Sequence, residues 1–471
     1  MNHLIMEQLK TYFKGINPDD LVMEQMEFEE NVYDILLEDW GESIGSVRMD
    51  ELGVAEFFIY TDELDEIPGE MSKFDMIMQA EQFIERFYDS TFRHGLYLSA
   101  YIDLGEYHMI LYNRKDERLN KELPHSGISF TMLSNGVLSA VERESMDFEL
   151  VYPKTLITNE EAKRIYLNHL GILPVIAKYD NNIFVNGDDE YHYVYQLEDF
   201  ILGVHTNGGI LTSDSFGVGK TLMTSLPDLA EFIDIYTLAG MTEDHMLVAE
   251  AKTKSGRLEV WSKLPKKSLR VSEEDLLDDE LDIPGAIKFV FNADGRLLKL
   301  MGLDDSETFV SGHVNSKVAL LTATSVLQAV CDNPHDYFKL QQLDNNGISQ
   351  KPANGIYDFT FIRQERGVQV ADALVHIQID DTGLVKYVDV DSEVLQDFSK
   401  VSFVASLTFK AATEMIKEKL FMELSWGKNI EKHQYTLTYL PTYPLTTGHI
   451  KMIDMNTGEP WVIDTSCMDQ Y

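Results

Sequence analysis

The chain states the order of its parts twice. Trp40 closes the stretch LLEDW and Trp261 closes RLEVW, and a glycine turn follows each, DELG ending at Gly53 and NADG ending at Gly295. Both stretches then show helical periodicity, alternating strands with a second glycine turn, another helix and a last glycine turn. Equivalent positions pair as Ala80 with Ala323, Tyr107 with Tyr357, Gly136 with Gly383, Ala162 with Ala412 and Gly209 with Gly458. The separation drifts by only a few residues, as small loop insertions produce. The second stretch carries extra residues between its Trp and its glycine turn, assigned to the acidic run SEEDLLDDELD at 272–282. A repeat constrains the fold before any motif is read, because each copy must build the same supersecondary unit. The expected organisation is a first half over residues 1–211, a connecting loop at 212–225 and a second half over 226–471.

Local patterns say what the unit contains. Residues 4–14 read as an amphipathic helix, and 32–38 and 46–60 alternate as strands. Ser72 is placed to cap a helix whose apolar stripe is Met76, Ile77, Ala80, Phe83, Ile84 and Phe87. Asn315 takes the same place before Ala319, Leu320, Ala323, Val326, Leu327 and Val330. Both stripes are expected to pack on the sheet of their own domain. Thr158 and Glu161 form a capping box before a shorter helix, whose counterpart carries Ala412, Met415, Ile416 and Leu420. The segments YHYVYQL and QYTLTYL read as strands, each followed by another strand and a glycine turn. His192 and His205 then fall in neighbouring strands of one hairpin. The predicted class is α+β: two tandem repeats, each with helices packed on small antiparallel sheets.

Charge narrows the function. The 471 residues carry a net charge of −40. Phosphate binding needs clustered Lys and Arg, so nucleic acid is excluded as an expected partner, and so is an anionic membrane surface. No apolar run approaches the roughly 20 residues of a membrane-spanning helix. The start, MNHLIMEQLKTYFKG, lacks the basic-then-apolar order of a signal peptide, which points to the cytoplasm. Two cysteines, Cys331 and Cys467, are too few for a disulfide framework.

Catalytic and ligand motifs are thin. DSFGVGKT, residues 214–221, ends as a phosphate loop does, with Gly219, Lys220 and Thr221. Its first glycine is replaced by Asp214, whose carboxylate would repel phosphate. The acidic pairs Asp188–Asp189, Asp304–Asp305 and Asp380–Asp381 lack the spacing of a calcium loop and read as turns. Histidines 192, 205 and 376 have no helical ligand spacing. No catalytic, cofactor-binding or metal-binding residue is assigned, no cofactor is expected, and the ligand-binding residues are left open.

One stretch is nonetheless distinctive. YDFTFIRQERGVQVADALVHIQIDDTGLVKYVDVD, residues 357–391, resembles the YcdB/YcdC repeated domain, a relative of PepSY modules, and IKMIDMNTGEP, residues 450–460, resembles that family's closing strand and turn. The first half matches more loosely, with RKDERLNKELPHSG where the second has the short QERG. The resemblance implies PepSY-like modules in tandem, with an inhibitory or binding role proposed for such modules and no catalytic residues to carry over. It also implies a cell envelope setting as the alternative to the cytoplasm. The expected function is a non-catalytic binding or regulatory protein that holds a polypeptide or small ligand at a sheet edge or between the halves. The alternative is an enzyme of unrecognised class with its site between the halves. Oligomeric state is left open.

Overall fold

A computed structural model describes residues 2–470 except 27, 28, 30, 38–42, 61–68, 145–147, 199, 200, 213–220, 229–232, 270, 271, 279–282, 284, 303–313, 344–354 and 447. Trp40, Asp304 and Asp305 therefore lie outside the described residues, as do Asp214, Gly219 and Lys220.

The chain opens with helix α1 (Asn2–Leu9) and strands β1 (Leu21–Gln25), β2 (Val32–Leu37), β3 (Ser43–Asp50) and β4 (Gly53–Ile59). Helices α2 (Lys73–Phe87) and α3 (Ser90–Arg93) follow, then β5 (Tyr97–Asp103), β6 (Tyr107–Lys115), β7 (Glu122–Leu133) and β8 (Leu138–Arg143). These strands form a first sheet in the order β1-β2-β3-β4-β8-β7-β6-β5. Next come β9 (Glu149–Val151), α4 (Asn159–His169), β10 (Ile172–Lys178), β11 (Tyr191–Leu197), β12 (Ile201–His205) and β13 (Ile210–Thr212). The chain continues through β14 (Thr221–Thr224), α5 (Ile235–Leu238), β15 (Met246–Lys252), β16 (Gly256–Ser262), α6 (Glu273–Leu277), β17 (Ala286–Asn292) and β18 (Leu297–Gly302). After α7 (Ser316–Val330) and α8 (Pro334–Tyr337) come β19 (Phe338–Leu343), β20 (Ile356–Glu365), β21 (Val368–Asp380) and β22 (Val385–Val390). The second sheet runs β15-β16-β17-β18-β22-β21-β20-β19. The chain closes with α9 (Phe409–Lys419), β23 (Phe421–Asn429), β24 (Gln434–Thr442), β25 (Ile450–Asp454), β26 (Pro460–Val462) and β27 (Met468–Gln470).

The helices form for the reasons the sequence gives. The Ser72 hydroxyl accepts the Asp75 N–H at 3.2 Å, and Asn315 accepts the Val318 N–H at 3.0 Å. Each satisfies one of the orphan donors of a helix start. The α2 stripe buries Met76, Ala80, Phe83, Ile84 and Phe87 on the first sheet. The α7 stripe does the same on the second. Thr158 and Thr408 cap α4 and α9 in the same manner.

The later strands change sheets. The connection after β11 does not make a hairpin with β12. Instead β11 pairs with β25, so that β10-β11-β25-β26 run side by side. Reciprocally, β12 pairs with β24, giving β13-β12-β24-β23. His192 and His205 consequently sit in different sheets, against the hairpin expectation. Local alternation is the same whichever partner a strand takes, so the sequence pattern does not distinguish the two. The residues of α4 and α9, Ala162, Tyr166, Ala412 and Ile416, share one core beneath these strands. The sheets are not small: among the described residues they contain 9, 13 and 5 strands, and in the last two the exchanged strands join others edge to edge. Nor are they wholly antiparallel. β10 pairs in parallel with the start of β21, and β9 in parallel with β24. Such joining satisfies backbone groups that a free edge leaves exposed. The first sheet is tied to the late strands by side chains as well. Lys428 Nζ donates to His125 O at 2.7 Å, and Tyr435 Oη donates to Pro124 O at 2.8 Å.

Two short strands close outer edges. β27 pairs antiparallel with β5, and β14, which lies within the expected connecting loop, pairs antiparallel with β19.

Candidate functional site

Beside the β5–β27 pair lies a cavity of about 530 Å³ whose lining includes Lys73, Tyr101, Asp103, His108, Ser466 and Cys467. Local structure sets each group in place. Lys73 is the first residue of α2, and its Nζ stands 4.8 Å from the centroid of the Tyr101 ring. The β5–β6 turn is made by Gly105 at φ 86°, with its N–H donating to Asp103 Oδ1 at 3.0 Å. This turn brings Asp103 opposite His108 in the ladder. Ser466 and Cys467 arrive from the other end of the chain, and Cys467 O accepts the Asp103 N–H at 2.7 Å.

His108 is buried and fully engaged. Its Nδ1 is 2.8 Å from Tyr101 Oη and 3.4 Å from Asp103 Oδ1, and its Nε2 is 3.1 Å from Ser134 Oγ. The order Ser134–His108–Asp103 is that of a hydrolytic triad, but the polarity is not. Ser134 Oγ donates its hydrogen to Gly105 O at 2.7 Å. That single hydrogen is directed at a backbone carbonyl and away from Nε2. In that arrangement the histidine takes no proton from the serine. Around it the cavity gathers the Lys73 ammonium, the half-exposed Asp103 carboxylate and the Cys467 thiol. This set suits a polar ligand carrying both charges.

A second cavity, of about 450 Å³, lies at the end of α7 and is lined in part by Arg296, Cys331, Asp332, Tyr337, Arg363 and Gln396. The Arg363 guanidinium lies 4.7 Å from the Phe398 ring centroid and donates to Gln396 O at 3.1 Å. Arg296 grips Asp332 with both terminal nitrogens. Burial pushes the Cys331 thiol up to about 11, so it is protonated and unreactive at neutral pH. These arginines are spent on backbone carbonyls and a carboxylate, which makes this cavity the weaker candidate.

The residues singled out by sequence are mostly structural. Thr221 opens strand β14, whereas a phosphate loop needs its Lys-Thr at a helix start. Asp380 Oδ1 accepts the N–H groups of Thr382 and Leu384, and Asp454 Oδ1 those of Asn456 and Thr457. The two D-T-G-like turns thus use their Asp as a hydrogen-bond hub. Asp189 accepts the Asn181 N–H, and Asp188 lies 3.0 Å from His192. The other side of the His192 ring meets the buried Asp454 at 3.2 Å, across the exchanged β11–β25 pair. His376 stands 3.6 Å from Asp358 on the second sheet. Among the described residues, no three His, Cys, Asp or Glu side chains gather as metal ligands. Tyr191, Tyr193 and Tyr195 pack against Phe398, Phe403 and Phe409.

The sequence reading missed Lys73, Tyr101, Asp103 and His108. Their one local signal is the glycine turn in YIDLGEYHM, which sets 103 against 108; Lys73 and Cys467 join only in three dimensions.

No protein-family model and no curated protein matches the chain. Among solved structures it is similar to the Bacillus megaterium YpeB C-terminal domain, at 14% identity and a TM-score of 0.25, over 42% of this chain and 86% of that one. A likeness at that level assigns neither fold nor role. The chain itself is a mixed α and β protein dominated by open sheets, and no helix among the described residues is long and apolar enough to cross a membrane.

Proposed function

We propose that this is a non-catalytic binding or regulatory protein that holds a polypeptide or small ligand where its N- and C-terminal segments meet, in the cavity of Lys73, Asp103 and Cys467. The observation that carries this reading is that the edge of β5 already accepts a strand, β27, beside a cavity lined by both charges. Strand addition to an exposed edge is a recurrent mode of peptide recognition. We further propose that residues 1–211 and 226–471 are tandem PepSY-like repeats of the YcdB/YcdC kind, joined at 212–225 and residing in the cytoplasm. The matching strand orders of the first and second sheets support the duplication.

Calorimetric titration with short peptides and with free amino acids tests the binding reading. Saturable binding should weaken in Asp103→Ala and Lys73→Ala, and a protein that takes up none of these ligands refutes it. The enzyme reading has one observation in its favour, a histidine and a thiol lining one cavity. Turnover of ester or peptide substrates that His108→Ala abolishes would establish it instead.

A further inference from the structure

Strand β5 has 7 residues, and β27 covers only Ala100–Ile102 of them. On that side Tyr97–Ser99 have no strand beside them among the described residues. β27 is itself only three residues long, Met468–Gln470. The second sheet repeats the arrangement. Its outer strand β19 is overlaid by β14, whose Leu222 and Met223 are 42% and 38% exposed. Strands of three and four residues are retained largely by main-chain hydrogen bonds, and any extended chain can supply those.

We propose that β27 is a displaceable cover, and that the ligand it keeps off β5 is an extended polypeptide of net positive charge. This inference rests on the binding reading above and names its ligand and its regulation. The sign follows from charge. A chain of net charge −40 draws cations toward it and repels acidic segments. A strand lying on β5 sends alternate side chains to one face. On the face shared by Tyr101 and Asp103 those side chains meet the cavity, where the Asp103 side chain is 55% exposed. A lysine or arginine of the incoming strand is matched to that carboxylate. The Asp103 N–H, now bonded to Cys467 O, is the main-chain donor released for it when the cover leaves. While β27 is docked, the affinity for a peptide is lowered by the fraction of molecules that are uncovered.

The test compares the full chain with one shortened after Ser466, which removes the Cys467 carbonyl together with β27, using a fluorescently labelled alternating Lys–Val octapeptide and a Glu–Val control, read by anisotropy at low salt. The Lys–Val peptide should bind the shortened chain about tenfold or more tightly than the full chain, the Glu–Val peptide should bind neither, and Asp103→Pro in the shortened chain should remove the binding. Asp469→Pro in the full chain, at the position paired with Tyr101, disturbs the β27–β5 ladder without shortening the chain and serves if the truncated protein does not fold. Equal binding to covered and uncovered chains overturns the cover and leaves the binding reading standing. Binding to neither overturns cover and edge together. Self-association of the uncovered chain in light scattering, without peptide binding, assigns the edge to a second copy and overturns the proposed ligand.

Discussion

Ile416 lies on α9 and is 0% exposed, in a core that also holds Ala162 and Tyr166 of α4. Replacing it with alanine removes three carbons from that core. At about 0.8 kcal/mol per buried methylene this forfeits roughly 2.4 kcal/mol of transfer free energy. The cavity left behind adds about 1–2 kcal/mol where the surroundings relax only in part. The expected loss is thus about 3.4–4.4 kcal/mol. If the core is common to both helices, the loss is not confined to α9. Hydrogen exchange in Ile416→Ala should quicken in α4, β12 and β24 as well as in α9, while α2 and the first sheet keep their protection. Faster exchange in α9 alone, with α4 unchanged, would refute the shared core. So would a loss below about 1 kcal/mol, since a fully enclosed isoleucine is not that dispensable.

Three further outcomes follow from single features. Of the two thiols, the exposed Cys467 should react promptly with a bulky disulfide reagent in the native protein, and Cys331, half-buried and pushed up to about 11, much more slowly; equally prompt reaction of both would contradict the packing around Cys331. The hydrogen bonds of Arg296 hold the Asp332 carboxyl below its usual range. That contribution is therefore complete above the ordinary carboxylate pKa and is lost as the pH falls through the depressed folded value. Arg296→Gln should return the Asp332 titration, followed by NMR, to ordinary acidity. Finally, Arg366 and Gly367 turn β20 into β21 with φ of 52° and 81°. Gly367→Ala should cost about 1 kcal/mol in urea denaturation, because alanine resists the left-handed region that this two-residue turn requires; an unchanged midpoint would argue for a different turn.

Much of the local structure was legible in the sequence because its causes are local. Ser72 and Asn315 cap their helices through atoms three residues away, and the stripes of α2 and α7 follow from the period of the helix. The turns at Gly136, Gly383 and Gly458 take φ of 77–93° and stand where glycine marks them. Strand partnership was not legible. Val194 faces Asp454, and Val204 faces Tyr439, across about half of the chain's length, and nothing in YHYVYQL or QYTLTYL names those partners. The site was hidden for the same reason. Lys73 and Cys467 acquire a common cavity only through the return of β27 to β5.

That return orders events during synthesis. Residues 468–470 lie far downstream of β5, so β1 to β8 are translated long before β27 exists and the outer edge of β5 stays bare meanwhile. The nascent protein spends that interval with an adhesive border that the finished one conceals. Whatever attends it then, a chaperone or a neighbouring nascent chain, meets the main-chain groups of residues 100–103 that β27 and Cys467 later cover.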